Sequence, residues 1–298
     1  MPWLINAAQA DKFRKSQKSL IFLDASFHMD GRDGKKEYIE KHIVGAQFFD
    51  IDLFSDPNNP LPHTLIKDEK LIGEKLASLG IRNDFKIIIY DNSDLHSSAR
   101  ALWMLKTVGH SPHLLYILNG GLKAWEKYGG KVESGIPNFS AKNYTAKFQP
   151  NYYRDLSQMK DALTHNYEQI VDVRHPARFA GAPEPRPGLR AGHIPGSHSF
   201  PFSTFFDKDG QFHPIEKLRK LMLSVAIDPK APTIATCGSG VTAPILDFIL
   251  DIMDNNHHAV YDGSWTEWGS EKLYPGEKSL GERPVENCVD DDYPKKIE

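Results

Sequence analysis

The chain repeats itself. LIFLDAS, with Asp24, is answered by QIVDVRH, with Asp172, and KHIVGA, with His42, by GHIPGS, with His193. IIIYD ends at Asp91 as TIATC ends at Cys237, and NGGLKAW ends at Trp125 as DGSWTEW ends at Trp268. All four separations lie within a few residues of half the 298-residue length, so one folding unit is used twice.

The pattern inside each half says what that unit is. The first half offers apolar strand segments at 20–24, 46–51, 87–91 and 114–118, with helical periodicity at 68–79, closed by Gly80, and at 97–108. The second half predicts strands at 169–173, 197–202, 233–237 and 259–262, and helices at 155–163, 215–225 and 242–253. Strands that are apolar throughout and alternate with helices belong to a parallel sheet covered on both faces. The expectation is an α/β protein of two tandem domains, 1–137 and 153–285. A polar linker at 138–152 joins them, and a polar tail, 286–298, follows.

Composition excludes several classes. With 40% hydrophobic and 25% charged residues the chain is ordinary globular material. A formal charge of −3 and the lack of any basic run give no electrostatic footing for nucleic acid. No stretch approaches membrane-spanning length, and the N-terminal residues lack a charged-then-apolar signal pattern. Two cysteines, Cys237 and Cys288, are too few for a disulfide scaffold and point to a reducing, cytoplasmic setting. Cys288 lies in a polar segment and reads as an exposed, non-catalytic thiol. The histidines at 110, 113, 257 and 258 have no cysteine at ligand spacing, so neither a metal nor a cofactor is expected.

The chemistry concentrates in TIATCGSGVTAPILDFILDIM, residues 233–253. A strand feeds a loop with glycines at 238 and 240, and an apolar helix follows, with Pro244 in its first turn where a missing N–H costs nothing. Such a loop aims backbone N–H groups and a positive helix end at its occupant, here Cys237, and favours the thiolate over the thiol. The plainer alternative is a buried structural cysteine beside a glycine turn. The first half has Asp91 at the matching position, and a carboxylate cannot do thiol chemistry. Activity is therefore expected in the second half, with the first half walling the cleft.

The duplicated α/β plan, GHIPG at 192–196 and the CGSGVT loop at 237–242 resemble the two-domain rhodanese superfamily over nearly the whole chain. The loop is similar to that of the branch using 3-mercaptopyruvate, since thiosulfate-using members usually carry basic residues just after the cysteine. The resemblance implies two rhodanese-like domains and a sulfurtransferase. Cys237 would take sulfur from 3-mercaptopyruvate as a persulfide, release pyruvate, and pass the sulfur to cyanide or a thiol acceptor, such as a thioredoxin-like protein. The loop from Gly238 through Gly240 and Val241 to Thr242 would cradle the sulfur. Arg178 and Arg186, in RFAGAPEPRPG, would clamp the carboxylate and ketone of the 2-oxo acid, which planar guanidinium groups match. A relay of Ser239, His63 and Asp52 would protonate the departing enolate, which requires the first domain to lean over the second domain's loop. Arg174, Arg190, His42, His193, Trp125 and Trp268 read as structural.

Rival readings are weaker. A cysteine phosphatase of similar fold needs an arginine six residues after the cysteine, where this chain has Ala243. A binding-only module would ordinarily have lost the loop cysteine. Thiosulfate:cyanide sulfur transfer stands as the alternative within the same chemistry.

Overall fold

The structure is a computed structural model and describes residues 3–287. In the first half β1 (Trp3–Ile5), α1 (Ala7–Ser16), β2 (Leu20–Asp24), α2 (Gly34–Glu40), β3 (His42–Ile43) and β4 (Gln47–Phe48) come first. They are followed by α3 (Glu69–Ser78), β5 (Lys86–Tyr90), α4 (Ser98–Thr107), β6 (Leu115–Leu118), α5 (Gly121–Tyr128) and β7 (Val132–Glu133). The second half begins with β8 (Tyr153–Arg154), α6 (Leu156–His165), β9 (Gln169–Asp172), α7 (Pro176–Ala180) and β10 (His198–Ser199). It continues through α8 (Ile215–Ser224), β11 (Thr233–Thr236), α9 (Ala243–Ile252), β12 (His258–Tyr261) and α10 (Ser264–Trp268).

The duplication is explicit in the sheets. The first runs β1-β6-β5-β2-β4 and the second β8-β12-β11-β9-β10, the same order with equivalent strands, and every pairing within them is parallel. Central strands such as KIIIY of β5 are buried on both faces, which is why they carry no polar alternation. The strands expected at 46–51 and 197–202 shrink to two residues each, because each is an edge strand held from one side only. Beyond the second of these the chain turns into a 3₁₀ segment, Phe202–Phe205. The opposite edges, β1 and β8, are too short to show any periodicity in the sequence.

Several helices start where a side chain satisfies a free N–H group. Asn6 with Gln9, and Asp155 with Gln158, form reciprocal capping boxes on α1 and α6. The segment expected to be a plain linker is strapped to the first domain. Lys142 N–H donates to Ala77 O (2.9 Å), Lys147 to Val108 O (2.9 Å) and Gln149 to Thr107 O (2.7 Å). These bonds satisfy C-terminal carbonyls of α3 and α4 that have no partner within their helices. Tyr144 and Ala146 of the same segment are buried. At the other end Glu286 exchanges both backbone bonds with His193 (2.8 and 3.0 Å), so the ordered second domain reaches past residue 285.

The two domains share one core. A single apolar cluster runs from Leu23, Ile87 and Leu102 through to Val171, Leu246 and Val260. At its centre α4 packs against α9, every residue of α4 is buried, and so is α9 from Ala243 to Asp251. A helix that is apolar nearly all round has no solvent face, which explains ILDFILDI. The charges in this seam are paired: Lys106 Nζ lies 2.6 Å from both Asp247 and Asp251, and His258 Nδ1 lies 2.7 Å from Asp247.

Candidate active site

Cys237 follows β11 directly and is 2% exposed. The carbonyls of Cys237 and Gly238 accept from Trp265 N (3.0 Å) and Thr266 N (2.9 Å), which ties the start of the loop to α10. Among the described residues, no backbone N–H from Gly238 through Thr242 donates to a protein acceptor, although this stretch is almost wholly buried. Buried N–H groups without an acceptor are rare, and a run of them forms an anion cradle. Of the two loop glycines, Gly240 has the left-handed backbone (φ +82°), and a Cβ there would lie 2.7 Å from the Asp262 carbonyl. Gly238 has an ordinary φ; its constraint is Arg178, whose Nη2 would lie 3.1 Å from a Cβ.

Ser264 was not singled out in the sequence. Its Oγ lies 3.3 Å from Cys237 N and 3.9 Å from Sγ, and its φ is +48°. The matching position in the first half is Gly121, also left-handed (φ +56°). A serine strained into a glycine's conformation beside the sulfur was the available signal, in DGSW answering NGGL.

The first half shows what the same loop does without a thiol. The Asp91 carboxylate accepts from Ser93 N (3.2 Å) and from Ser98 N at the start of α4 (2.8 Å). The Asn92, Leu95 and His96 N–H groups are taken up by Ser26 Oγ, Ser93 Oγ and Ser93 O. This loop supplies its own anion, and its N–H groups find acceptors in Ser93 of the loop and in Ser26 after β2. A cavity of about 340 Å³ opens over it, lined in part by Asp207 to Gly210 of the second domain.

The arginine loop places Arg178 over the cysteine loop, with its guanidinium held by Glu184 (Nη2 to Oε2 2.5 Å). Glu184 is shared with Arg174, which also pairs with Asp172 (2.7 Å) and stacks on Trp265. Arg186 is half-buried and makes no hydrogen bond or ion pair with the described residues. Burial and the neighbouring Arg178 push its guanidinium below the ordinary value, while Cys237 and Glu184 oppose them. Arg190 ties down backbone, donating to Trp268 O (2.7 Å).

Of the relay, the structure joins Asp52 to His63 (Oδ1 to Nδ1 2.9 Å), and this bond holds the Asp52 carboxyl below its usual range against the effect of burial. The His63 ring meets Phe27 edge to face at 5.0 Å, and its backbone is left-handed (φ +62°). Ser239 is buried, and no hydrogen bond joins it to His63.

The loops that carry these residues cross between domains in a reciprocal way. Leu65 N–H, two residues after His63, donates to Asp262 Oδ2 of the second domain (2.8 Å). Phe212 N–H of the second domain donates to Asn119 Oδ1 of the first (2.9 Å). Asn119 and Asp262 are equivalent in the repeat. Between the halves on the Cys237 side lies Arg100, fully buried, whose Nη1 reaches Asp262 Oδ1 (2.7 Å) and Gly240 O (3.1 Å) while Nη2 donates to His63 O.

His42 and His193 play the same part in each half, stacking on Tyr38 and Phe179 and bonding a backbone carbonyl through Nδ1. Trp125 and Trp268 are both fully buried, each donating its indole N–H to a carbonyl. Among the described residues no group of histidine, cysteine and acidic side chains could hold a metal ion, and no helix is long and apolar enough to cross a membrane. Cys288 lies outside the described residues.

Comparison with known proteins agrees with this fold. The chain is 36% identical over 266 residues to mouse 3-mercaptopyruvate sulfurtransferase, covering 88% of this chain and 89% of that one. It is 36% identical over 254 residues to the Escherichia coli (strain K12) 3-mercaptopyruvate sulfurtransferase, covering 85% and 89%. Rat thiosulfate sulfurtransferase also matches at 36% over 271 residues, covering 89% of each. Among solved structures, SseA from Escherichia coli, described as a 3-mercaptopyruvate sulfotransferase, superposes with a TM-score of 0.79 at 31% identity, covering 90% of this chain and all of that one. The rhodanese-like domain is matched at residues 7–128 and again at 154–271, and the chain therefore belongs to the rhodanese-like domain family, with two copies in tandem.

Proposed function

We propose that this protein is a sulfurtransferase that accepts sulfur from 3-mercaptopyruvate onto Cys237. The observation that carries the reading is the difference between the two loops. The first half's loop bonds its own N–H groups and its own carboxylate, whereas the stretch after Cys237 leaves a run of buried N–H groups for an anion on the sulfur. In the first step the Cys237 thiolate attacks the donor's sulfur. The C–S bond breaks with its electron pair going to carbon, and the resulting enolate takes up the thiol proton to give pyruvate. Charge moves from the cysteine sulfur to the outer sulfur of the persulfide, where the loop N–H groups would oppose it. Arg186, without a hydrogen-bond or ion-pair partner among the described residues, and Arg178 suit the donor's carboxylate. His63, oriented by Asp52, and Ser239 suit the proton transfer. In the second step a thiolate or cyanide attacks the outer sulfur and restores Cys237. The acceptor in this reading is a thiol of a thioredoxin-like protein in a reducing compartment, the cytoplasm.

Overall identity does not choose the donor, since mercaptopyruvate- and thiosulfate-named relatives match at the same 36%. The choice rests on the uncharged Gly238 and Ser239 beside the nucleophile. Two cations there would favour a compact dianion such as thiosulfate. Intact-mass measurement after incubation with mercaptopyruvate and no acceptor tests the proposal. One sulfur atom is expected on Cys237, absent from Cys237→Ser. Sulfur carried on Cys288, or higher kcat/KM with thiosulfate than with mercaptopyruvate, would overturn the nucleophile or the donor assignment respectively.

A further inference from the structure

We infer that Arg100 and Asp262 form a clasp between the domains that sets His63 in register with the cysteine loop, making both positioning residues for proton transfer. The inference rests on the His63 relay of the proposed function. Arg100 is one fork with two tasks: Nη1 donates to the Gly240 carbonyl within the cradle, and Nη2 donates to the carbonyl of His63 itself. Asp262 closes the ring, with Oδ1 on Arg100 (2.7 Å) and Oδ2 on the Leu65 N–H (2.8 Å). Two hydrogen-bonded links therefore run from the relay loop to the second domain, one through Arg100 to the Gly240 carbonyl of the sulfur loop and one from Leu65 to Asp262 after β12. Both side chains are fully buried. Loss of the fork would leave the left-handed His63 backbone free to relax, and with it the imidazole.

The repeat provides the internal control. The inactive half makes the equivalent crossing with a neutral amide, Asn119 to Phe212 N–H. At the third residue of α9, where α4 has Arg100, stands Ile245. The fold thus docks one domain's loop on the other without an ion pair. The charged version occurs only where chemistry is expected. Burying a guanidinium–carboxylate pair contributes little net stability compared with an apolar pair of similar volume, so stability does not account for it.

The test compares Arg100→Met/Asp262→Asn, which imitates the neutral half, with His63→Ala and with the combination of all three changes. With mercaptopyruvate, the clasp variant is expected to lower kcat about 10- to 100-fold, the scale of a small misplacement of a reacting group. KM should stay within about twofold, and adding His63→Ala should cost little more, because the clasp acts through that side chain. Thiosulfate turnover should be retained, since sulfite leaves as a stable anion needing no proton. Equal losses with both donors, or losses fully additive with His63→Ala, would show a general structural role and overturn the inference. If His63→Ala itself keeps full activity, the relay fails and the clasp's role falls with it. If His63→Ala is impaired while the clasp variant is not, only the clasp fails. Should the double variant not fold, Arg100→Lys answers the same question. It keeps the charge for Asp262 but not the fork, and an unchanged kcat there would overturn the inference.

Discussion

Asp24→Asn should stabilise this protein, and only above a definite pH. Asp24 ends β2, is 2% exposed, and accepts from the Ser26 N–H (3.0 Å) and hydroxyl (2.5 Å). Its equivalent, Asp172, faces Arg174, but the first half has Ser26 at that position and no cation. Burial therefore drives the Asp24 carboxyl up from 3.8 to about 6, with the Asp91 charge adding and the Ser26 bonds opposing. An acid whose folded value is raised keeps its proton longer in the folded state. Stability is therefore full below 3.8, falls as pH rises from there to about 6, and stays lower above. A gap of about two pH units corresponds to about 3 kcal/mol. Asparagine keeps the acceptor oxygen without the charge. Urea unfolding should show the variant more stable by roughly 1–3 kcal/mol at pH 8, with the gain gone near pH 4. Asp172→Asn should do the opposite, because it takes a partner from buried Arg174. A loss at pH 8 for Asp24→Asn, or the same shift at both pH values, would refute the reasoning.

Four further expectations concern the site. Gly240→Ala should cost about 1–2 kcal/mol for the left-handed backbone, plus displacement of the Asp262 carbonyl, and slow persulfide formation at least tenfold. Gly238→Ala should stay within about threefold, since only a side-chain end must move. Arg186→Ala should lower kcat/KM for mercaptopyruvate roughly 10- to 150-fold, the worth of a charge-assisted bond, with no change in Tm. Arg178→Ala should lower both, because it leaves buried Glu184 with Arg174 alone; equal Tm losses would show that Arg186 also has a structural role.

The repeat, the parallel sheets and the cysteine loop were legible because each rests on local pattern. Runs such as KIIIY announce a doubly covered strand, and TC-G-S-G announces a turn into a helix. What was not legible depends on partners distant in the chain. Arg100 sits in SARALWMLKT, a largely apolar helix, yet its acceptors are 37, 140 and 162 residues away. Both loop glycines read alike in the sequence, but only Gly240 takes the left-handed backbone, and the Asp262 carbonyl that a Cβ there would meet is a neighbour the loop's own composition does not show. The 138–152 segment lacks periodicity because its bonds go largely to the first domain, the ends of α3 and α4 among them, with Tyr152 N–H to Gln149 O inside the segment.

The seam where α4 lies on α9 bears on how molecules reach the sulfur. Two-domain enzymes often admit substrate by hinging apart. Here such opening would wet helices that have no solvent face, at about 1.5–3 kcal/mol for each aliphatic side chain exposed. Three such side chains already hold the open form below roughly one molecule in a thousand. The halves are therefore shut in all but a small fraction of molecules. The low-cost motions around the sulfur are those of its loops rather than of the joint between the domains.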